Sequence, residues 1–283
     1  MPELPEVETI MRGISPFLEG ETIKKVKLYR ADLRWPFPKD FARRLKGATV
    51  LSLKRRSKYI LIHLSTGETL LIHLGMSGKV LVSGSKVGKY FYDSSKSSNH
   101  DHVIFWLNDG TIITYNDPRR FGAMDLANTE DLNSHKFLQK LGPEPLGNNF
   151  NSYYLKKKLS KKESSIKNVL LDQSLVAGLG NIYVCEALFM SGISPKKKAS
   201  KVSKNKCEEL VQNIRTVLIS AIEAGGSSLK DFTDIQGNSG YFQFEFFVYG
   251  REKESCKTIN CDSKIKRVSQ SGRSSFYCPS CQR

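Results

Sequence analysis

The residues best suited to chemistry stand at the two ends of the chain. Toward the C-terminus, Cys256 and Cys261 have four residues between them, Cys261 and Cys278 sixteen, and Cys278 and Cys281 two. Two cysteine pairs joined by a span of this length are the pattern of a tetrahedral four-thiolate site, each pair on a tight knuckle. One structural zinc ion fits, because zinc binds thiolates without redox chemistry and closes a hairpin too small to fold alone. No open coordination position is implied, so the expected role is folding and not catalysis. Lys264, Lys266, Arg267 and Arg273 lie inside the long span, and a basic hairpin held by a metal can read a groove or a phosphate. Cys185 and Cys207 fall in helical patterns and are expected to be buried packing residues.

At the other end the chain reads Met1-Pro2-Glu3-Leu4-Pro5-Glu6-Val7-Glu8-Thr9. A small second residue lets methionine aminopeptidase expose Pro2. Its nitrogen is then a secondary amine, able to attack a carbon and form an iminium without first losing another proton. Glu3 and Glu6 stand beside it as candidate acid and base groups. The commoner role of Pro and Glu at a chain start is the first turn of a helix. On these residues alone both readings stay open.

Net charge narrows the partner. Forty-four Lys and Arg against 28 Asp and Glu give +16 and a pI near 9.5, which points to a polyanion, nucleic acid first and an anionic membrane surface second. No apolar run approaches the roughly 18–20 residues that cross a bilayer. The first twenty residues carry four Glu and no continuous apolar stretch, so they do not read as a secretory signal. The expectation is a cytoplasmic protein with no membrane partner, in which structural disulfides have no place.

These groups need elements to hold them. Residues 5–18 read as an amphipathic helix, with Val7, Ile10, Met11, Ile14, Phe17 and Leu18 on one face. From 22 to 126 the pattern is of short strands, among them 49–53, 59–64, 69–74, 79–82, 103–107 and 111–115, with a hairpin turn at Asn108-Asp109-Gly110. Regularly spaced strands of this kind imply an antiparallel sandwich or barrel. Residues 83–99 are polar and Gly/Ser/Lys-rich and read as a mobile loop. The strand pattern stops around 128–145, and helical patterns follow at 151–159, 166–171, 182–190 and 207–224. Residues 225–240 form a long Gly/Ser/Asp/Asn-rich loop. Arg34-Trp35-Pro36-Phe37-Pro38 looks like a small insertion between early strands and has no role derivable from sequence.

Besides the N-terminal octet, four blocks are distinctive: Arg55-Arg56-Ser57-Lys58-Tyr59; His73-Leu74-Gly75-Met76-Ser77-Gly78; Asn116-Asp117-Pro118-Arg119-Arg120-Phe121-Gly122; and Gly178-Leu179-Gly180-Asn181-Ile182-Tyr183. With the cysteine module, and in this order, they resemble the bacterial formamidopyrimidine-DNA glycosylase (Fpg/MutM) family from the first residue to the last. Leu4 and Val7 are similar to its oxidised-purine branch and not to the related endonuclease VIII branch.

The resemblance implies an α+β fold of two domains. An N-terminal antiparallel β-sandwich flanked by helices (1–130) would be joined by a linker (131–148) to a helix-two-turn-helix domain (149–240). A zinc-ribbon-like hairpin finger (243–283) would follow, and DNA would lie in a basic cleft between the domains. Pro2 would be the nucleophile at C1′ of a damaged nucleotide and Glu3 the acid that opens the sugar, with Glu6 supporting them. Lys58, Asn181 and Arg273 would hold phosphates flanking the lesion. Met76, Arg119 and Phe121 would fill the hole left by a flipped base, and the loop 231–242, part of a capping segment 225–242, would close over that base. His73, Arg120 and Tyr241 join them as DNA contacts. The implied activity is a base-excision repair glycosylase and AP lyase acting on oxidised purines, with one structural zinc, double-stranded DNA holding oxidised bases or abasic sites as partner, and a monomer. Two rivals stand beside it: an endonuclease VIII-like enzyme for oxidised pyrimidines, and a non-catalytic zinc protein that binds damaged DNA. Outside the resemblance, Met76 and Phe121 would ordinarily be core residues, Lys58 a solvated charge, and His63 and His73 packing or phosphate contacts.

Overall fold

The computed structural model describes residues 2–84, 99–227 and 241–283. The expected mobile loop at 83–99 and the expected lid at 231–242 fall largely outside the described residues. The chain divides into two compact units, Met1–Gln139 with Ala224–Tyr241, and Lys140–Glu223 with Phe242–Arg283. Among the described residues no helix is long and apolar enough to cross a membrane.

The first unit opens with α1 (Leu4–Leu18). Glu3 and Glu6 form a reciprocal capping box and Pro5 sits in the first turn, where its missing N–H costs nothing. Val7, Ile10, Ile14 and Leu18 are buried at helical spacing, and the chain leaves the helix through Gly20 at φ +82°. Two four-stranded antiparallel sheets follow. One has the order β1 (Ile23–Leu28), β6 (Asp101–Leu107), β7 (Thr111–Asn116), β5 (Lys79–Gly84). The other runs β2 (Val50–Arg56), β3 (Tyr59–Leu64), β4 (Glu68–His73), β8 (Ala123–Asn128). Side chains from both sheets, from α1 and from the short α2 (Phe41–Leu45) share one apolar core, which is the expected sandwich. The β6–β7 turn is the expected one, with the Asp109 carboxylate accepting the Thr111 amide at 2.8 Å and Gly110 at φ +90°.

Two stretches near the expected domain boundaries carry contacts of their own. Residues 224–241 group with the first unit, because Glu6 Oε1 accepts both the amide (3.0 Å) and the hydroxyl (2.9 Å) of Ser227 and Ser227 bridges to Tyr241. The stretch from 128 onward also carries local structure. Thr129–Ser134 is a short 3-10 helix, and Phe137 beyond it stacks on Tyr59 at 5.7 Å.

The second unit is built from α3 (Ser152–Leu159), α4 (Ile166–Leu170), α5 (Asn181–Met190) and α6 (Lys204–Glu223). Asn151 and Ser165 cap the first two with their side chains. Every residue of α5 from Ile182 to Phe189 is buried, as befits a central helix that packs on α6 and α4. The chain ends in a hairpin of β9 (Lys266–Gln270) and β10 (Arg273–Tyr277). Ser271 (φ +48°) and Gly272 (φ +74°) make its two-residue turn, the backbone that a twisted two-residue hairpin requires.

Candidate functional site

The start of the chain is built into the first unit. Pro2, Glu3 and Glu6 are buried, and the Glu3 amide donates to Glu6 Oε2 at 2.8 Å. With its other oxygen on Ser227, Glu6 ties the first turn of α1 to the foot of the segment beyond 227. The helix-start reading of these residues is what the geometry displays: Glu3 and Glu6 form the capping box of α1.

Lys58 occupies the two-residue turn between β2 and β3, where Arg56 pairs with Tyr59. Ser57 supplies the positive φ of 56°, and its carbonyl accepts Arg55 Nη1 at 2.9 Å. Arg55 is held in turn by Glu8 at 2.7 Å. Despite its charge Lys58 is only 6% exposed, so it is not the solvated lysine that its neighbours in 54–58 suggest. Tyr59 pairs across the ladder with His73. Burial, with Lys58 and Arg34 adding positive charge, pushes the His73 imidazole down to about 4. The ring is neutral at physiological pH, and Nδ1 accepts the Gly75 amide at 3.1 Å. The proton of the neutral ring therefore sits on Nε2, a donor suited to a phosphate oxygen.

His73, Met76, Arg119, Arg120 and Phe121 come together around a cleft of about 570 Å³ that Arg34 also lines. Met76 and Phe121 are 36% and 43% exposed, which removes the core reading for both. The Arg119 guanidinium lies over the Phe121 ring at 4.9 Å. Two loops carry these side chains, and one carboxylate holds the loops together. Asp117, fully buried, accepts Ser77 Oγ at 2.6 Å from the first loop and the Gly122 amide at 2.8 Å from the second. Ser77 Oγ in turn accepts the Arg119 amide at 3.2 Å. The loops approach so closely that a Cβ on Gly75 (φ +64°) would stand 2.3 Å from the Phe121 carbonyl carbon. Tyr241, 67% exposed, is not in the lining of this cleft; it is bridged to Ser227.

In the second unit, Asn181 is the first residue of α5, and its Nδ2 donates to the Ser274 carbonyl at 2.9 Å. That carbonyl also accepts Lys167 Nζ at 2.9 Å, and Lys167 reaches Ser275 Oγ at 2.6 Å. Ser275 donates onward to Gln270 Oε1 at 2.6 Å. This network grips the hairpin from one side and leaves Arg273 exposed beside the turn. Asn181 and Arg273 are thus brought together by the backbone of Ser274. Below the hairpin, Glu186 of α5 accepts the amides of Phe247, Val248 and Tyr249 at 2.8, 3.0 and 2.8 Å.

The sulfurs of Cys256, Cys261, Cys278 and Cys281 all lie within 4.8 Å of one another. The closest pairs are 3.8, 3.6 and 3.5 Å apart, and thiolates about 2.3 Å from a tetrahedral zinc would be about 3.8 Å apart. Burial pushes the Cys278 thiol up, and four thiolates this close would repel one another without a cation between them. The donor set, its spacing and its geometry fit one zinc ion. Cys185 and Cys207 are buried, as expected, and neither belongs to the four-sulfur group, although Cys185 packs in one apolar cluster with Cys256 and Cys278.

Sequence reasoning missed the residues that position others. Asp117 stands inside a quoted block, but its type there signals only a turn before Pro118. Lys167 reads as one more charge in a Lys-rich stretch, and Glu186 sits on a helix without an amphipathic signature.

Comparisons with known proteins agree with this geometry. Three family models match the chain: the formamidopyrimidine-DNA glycosylase N-terminal domain over residues 1–124, the formamidopyrimidine-DNA glycosylase H2TH domain over 141–233, and the zinc finger found in FPG and IleRS over 254–283. Formamidopyrimidine-DNA glycosylases of Ruegeria pomeroyi and of a Jannaschia species are each 56% identical over 283 residues, covering all of both chains. Among solved structures, Lactococcus lactis Fpg in complex with DNA containing an abasic site has a TM-score of 0.88 at 31% identity, with full coverage of both chains. The MutM (FPG) protein of Thermus thermophilus has a TM-score of 0.86 at 34% identity, covering 99% of this chain and 98% of its own. Full-length identity of this order, with family models matched over the N-terminal, H2TH and zinc-finger regions, places the chain in the formamidopyrimidine-DNA glycosylase family.

Proposed function

We infer that the chain is a base-excision repair DNA glycosylase and AP lyase that removes oxidised purines, 8-oxoguanine and formamidopyrimidines, from double-stranded DNA. The observation that carries this reading is the full-length identity with formamidopyrimidine-DNA glycosylases. Solved neighbours holding DNA with an abasic site or with Fapy-dG support the choice of substrate.

Pro2, freed of Met1, attacks C1′ of the damaged nucleotide with its nitrogen lone pair. The sugar ring opens as the C1′–O4′ bond breaks and Glu3 delivers a proton to O4′. The base leaves with the electron pair of its glycosidic bond and takes up the proton that the Pro2 nitrogen releases, and an iminium then joins Pro2 to C1′. Loss of a proton from C2′ then expels the 3′ phosphate, and a second elimination expels the 5′ phosphate. Glu3, now a carboxylate, is the acceptor beside these steps. Glu6 keeps Glu3 and the helix start in place. Lys58, Asn181 and Arg273 hold phosphates around the lesion, Asn181 from a helix N-terminus and Arg273 with its planar fork. Met76, Arg119 and Phe121 enter the stack where the base has left, and Arg119 bonds the orphaned partner base. His73 adds its Nε2–H, and Arg120 and Tyr241 further contacts, along the same strands. Cys256, Cys261, Cys278 and Cys281 hold the zinc, which supplies folding energy to the hairpin and no step of the reaction. The enzyme acts as a monomer in the cytoplasm, on nucleoid DNA.

Borohydride trapping on a duplex with 8-oxoguanine opposite cytosine tests the mechanism. A covalent adduct is expected from the processed protein and none from Pro2→Gly or from a form retaining Met1. Trapping by Pro2→Gly at the wild-type level would remove Pro2 from the chemistry.

A further inference from the structure

The segment 34–38, which the mechanism leaves unused, forms one wall of a second cleft of about 730 Å³, within the roughly 300–1,000 Å³ of small-molecule and cofactor sites. Trp35, Phe37, Tyr59 and Phe137 line it, with Asp125 and Lys136 among its polar groups. Its walls are aromatic and mutually supported. Trp35 lies 5.2 Å from Phe137, and Phe137 is stacked on Tyr59 at 5.7 Å. Yet Trp35 remains 46% exposed, so core packing does not account for it.

Cations rim this aromatic surface. The Arg34 guanidinium lies 4.7 Å from the Trp35 ring and Lys136 Nζ 5.2 Å from the Phe137 ring. The one carboxylate of the lining, Asp125, is already engaged by Lys136 at 2.7 Å and His135 at 3.3 Å. Aromatic faces interleaved with cations are the surface that single-stranded nucleic acid selects, bases on rings and phosphates on charges. The cleft is also tied to the first one. The Arg34 amide donates to the Gly122 carbonyl at 3.0 Å, next to Phe121, and Arg34 lines the Met76–Phe121 cleft as well. Tyr59, on the inner wall, is 4.8 Å from His73 of that cleft. Pro36 and Pro38 fix φ on either side of Phe37, and the Phe37 amide is bonded back to Ala31 O at 3.1 Å. The platform is therefore rigid before anything arrives.

We propose that the Trp35–Phe137 cleft is a nucleobase-stacking subsite, taking one unpaired base of the strand beside the Met76–Arg119–Phe121 wedge and its phosphate on Arg34 and Lys136. The Arg34 guanidinium moves from the Trp35 face to the phosphate as the base takes its place, because an exposed cation–aromatic contact is the weaker of the two stackings. The proposal rests on reading Met76, Arg119 and Phe121 as the wedge, and its test separates the two.

The chain has two tryptophans, so in a zinc-loaded Trp106→Phe protein Trp35 alone reports. Its emission would be titrated with a duplex holding a tetrahydrofuran abasic analogue and with single-stranded oligo(dT). Saturable quenching by both is expected. In the otherwise native chain Trp35→Ala should weaken duplex binding about tenfold and Trp35→Phe less than about threefold, since a phenyl ring still stacks. Phe121→Ala would be measured in parallel. Trp35 emission unmoved by either ligand, with Trp35→Ala binding as wild type while Phe121→Ala binds weakly, would overturn the subsite and leave the wedge standing. Quenching by oligo(dT) and loss in Trp35→Ala, with Phe121→Ala unaffected, would support stacking on Trp35 and remove the wedge. Thermal melting of each variant excludes unfolding as the cause, and Trp35→Phe and the quenching decide if Trp35→Ala does not fold.

Discussion

Asp117 joins two loops by one side chain, and its replacement makes a graded prediction. Its carboxylate accepts two short hydrogen bonds, from Ser77 Oγ at 2.6 Å and the Gly122 amide at 2.8 Å, and a long one from the Tyr115 hydroxyl at 3.4 Å. Hydrogen bonds to a charged group are worth about 1.5–3 kcal/mol each, and a buried donor left without an acceptor costs about 1–3 kcal/mol. The contact at 3.4 Å adds little, so Asp117→Ala should cost about 3–5 kcal/mol of stability in the first unit. Asp117→Asn keeps an acceptor for Gly122 but takes the acceptor from Ser77, whose oxygen already receives the Arg119 amide. It should cost about 2 kcal/mol, one charged bond. Urea unfolding of the zinc-loaded protein measures both, the midpoint falling with the slope unchanged. Because the same bonds fix the spacing of Met76 and Phe121, both variants should bind a tetrahydrofuran-containing duplex more weakly even where fully folded. Equal costs for Ala and Asn, or less than about 1 kcal/mol for Ala, would refute the claim that the carboxylate holds the loops.

Three further outcomes follow from the same geometry. His73 titrates at about 4 when folded and near 6.5 when unfolded, so only the unfolded chain takes up its proton between these values. Its contribution is intact above pH 6.5 and declines as pH falls, by about 3 kcal/mol at pH 4; in His73→Gln, stability should fall less steeply over that window. Gly75→Ala places a Cβ 2.3 Å from the Phe121 carbonyl carbon at a positive φ, and should cost about 2–4 kcal/mol together with much of the affinity for abasic duplex, read by urea midpoint and fluorescence binding. Elemental analysis should find one zinc per chain, and chelation should lower the melting temperature and abolish duplex binding; unchanged binding after verified removal would sever the hairpin from DNA recognition.

Much of this was legible because local rules and global fold agree. Leu4–Leu18 announces itself through helical spacing and its capping pair, and the 108–110 turn through its Asx-Gly chemistry. The cysteine spacing alone implies the sulfur cluster. The helix end at 159 fell where the apolar periodicity ended, and that at 190 where a continuous apolar run gives way to Ser191-Gly192. What stayed hidden depends on partners far away in sequence. Ser227 joins the first unit through a carboxylate 221 positions away. Lys167 is a buried anchor because Ser274 and Ser275 come to meet it, and Lys58 is buried by a hairpin turn that leaves its type unremarkable. Strand β8 had no alternation to reveal it, since its first four residues are all buried.

The anchoring of the zinc hairpin also governs which genetic changes it can absorb. Arg273 pairs with Gln270 at the turn and lies on the same face as Ser275, which is fixed to Lys167. Side chains alternate along a strand, so one residue added between Arg273 and Ser275 would turn Arg273 to the face opposite Ser275 while leaving all four sulfurs free to bind their ion. The span between the cysteine pairs thus behaves as a measured length. Many of its exposed letters can be exchanged, but a single-codon insertion or deletion between Arg273 and Ser275 would leave the metal site intact with the arginine facing the wrong way.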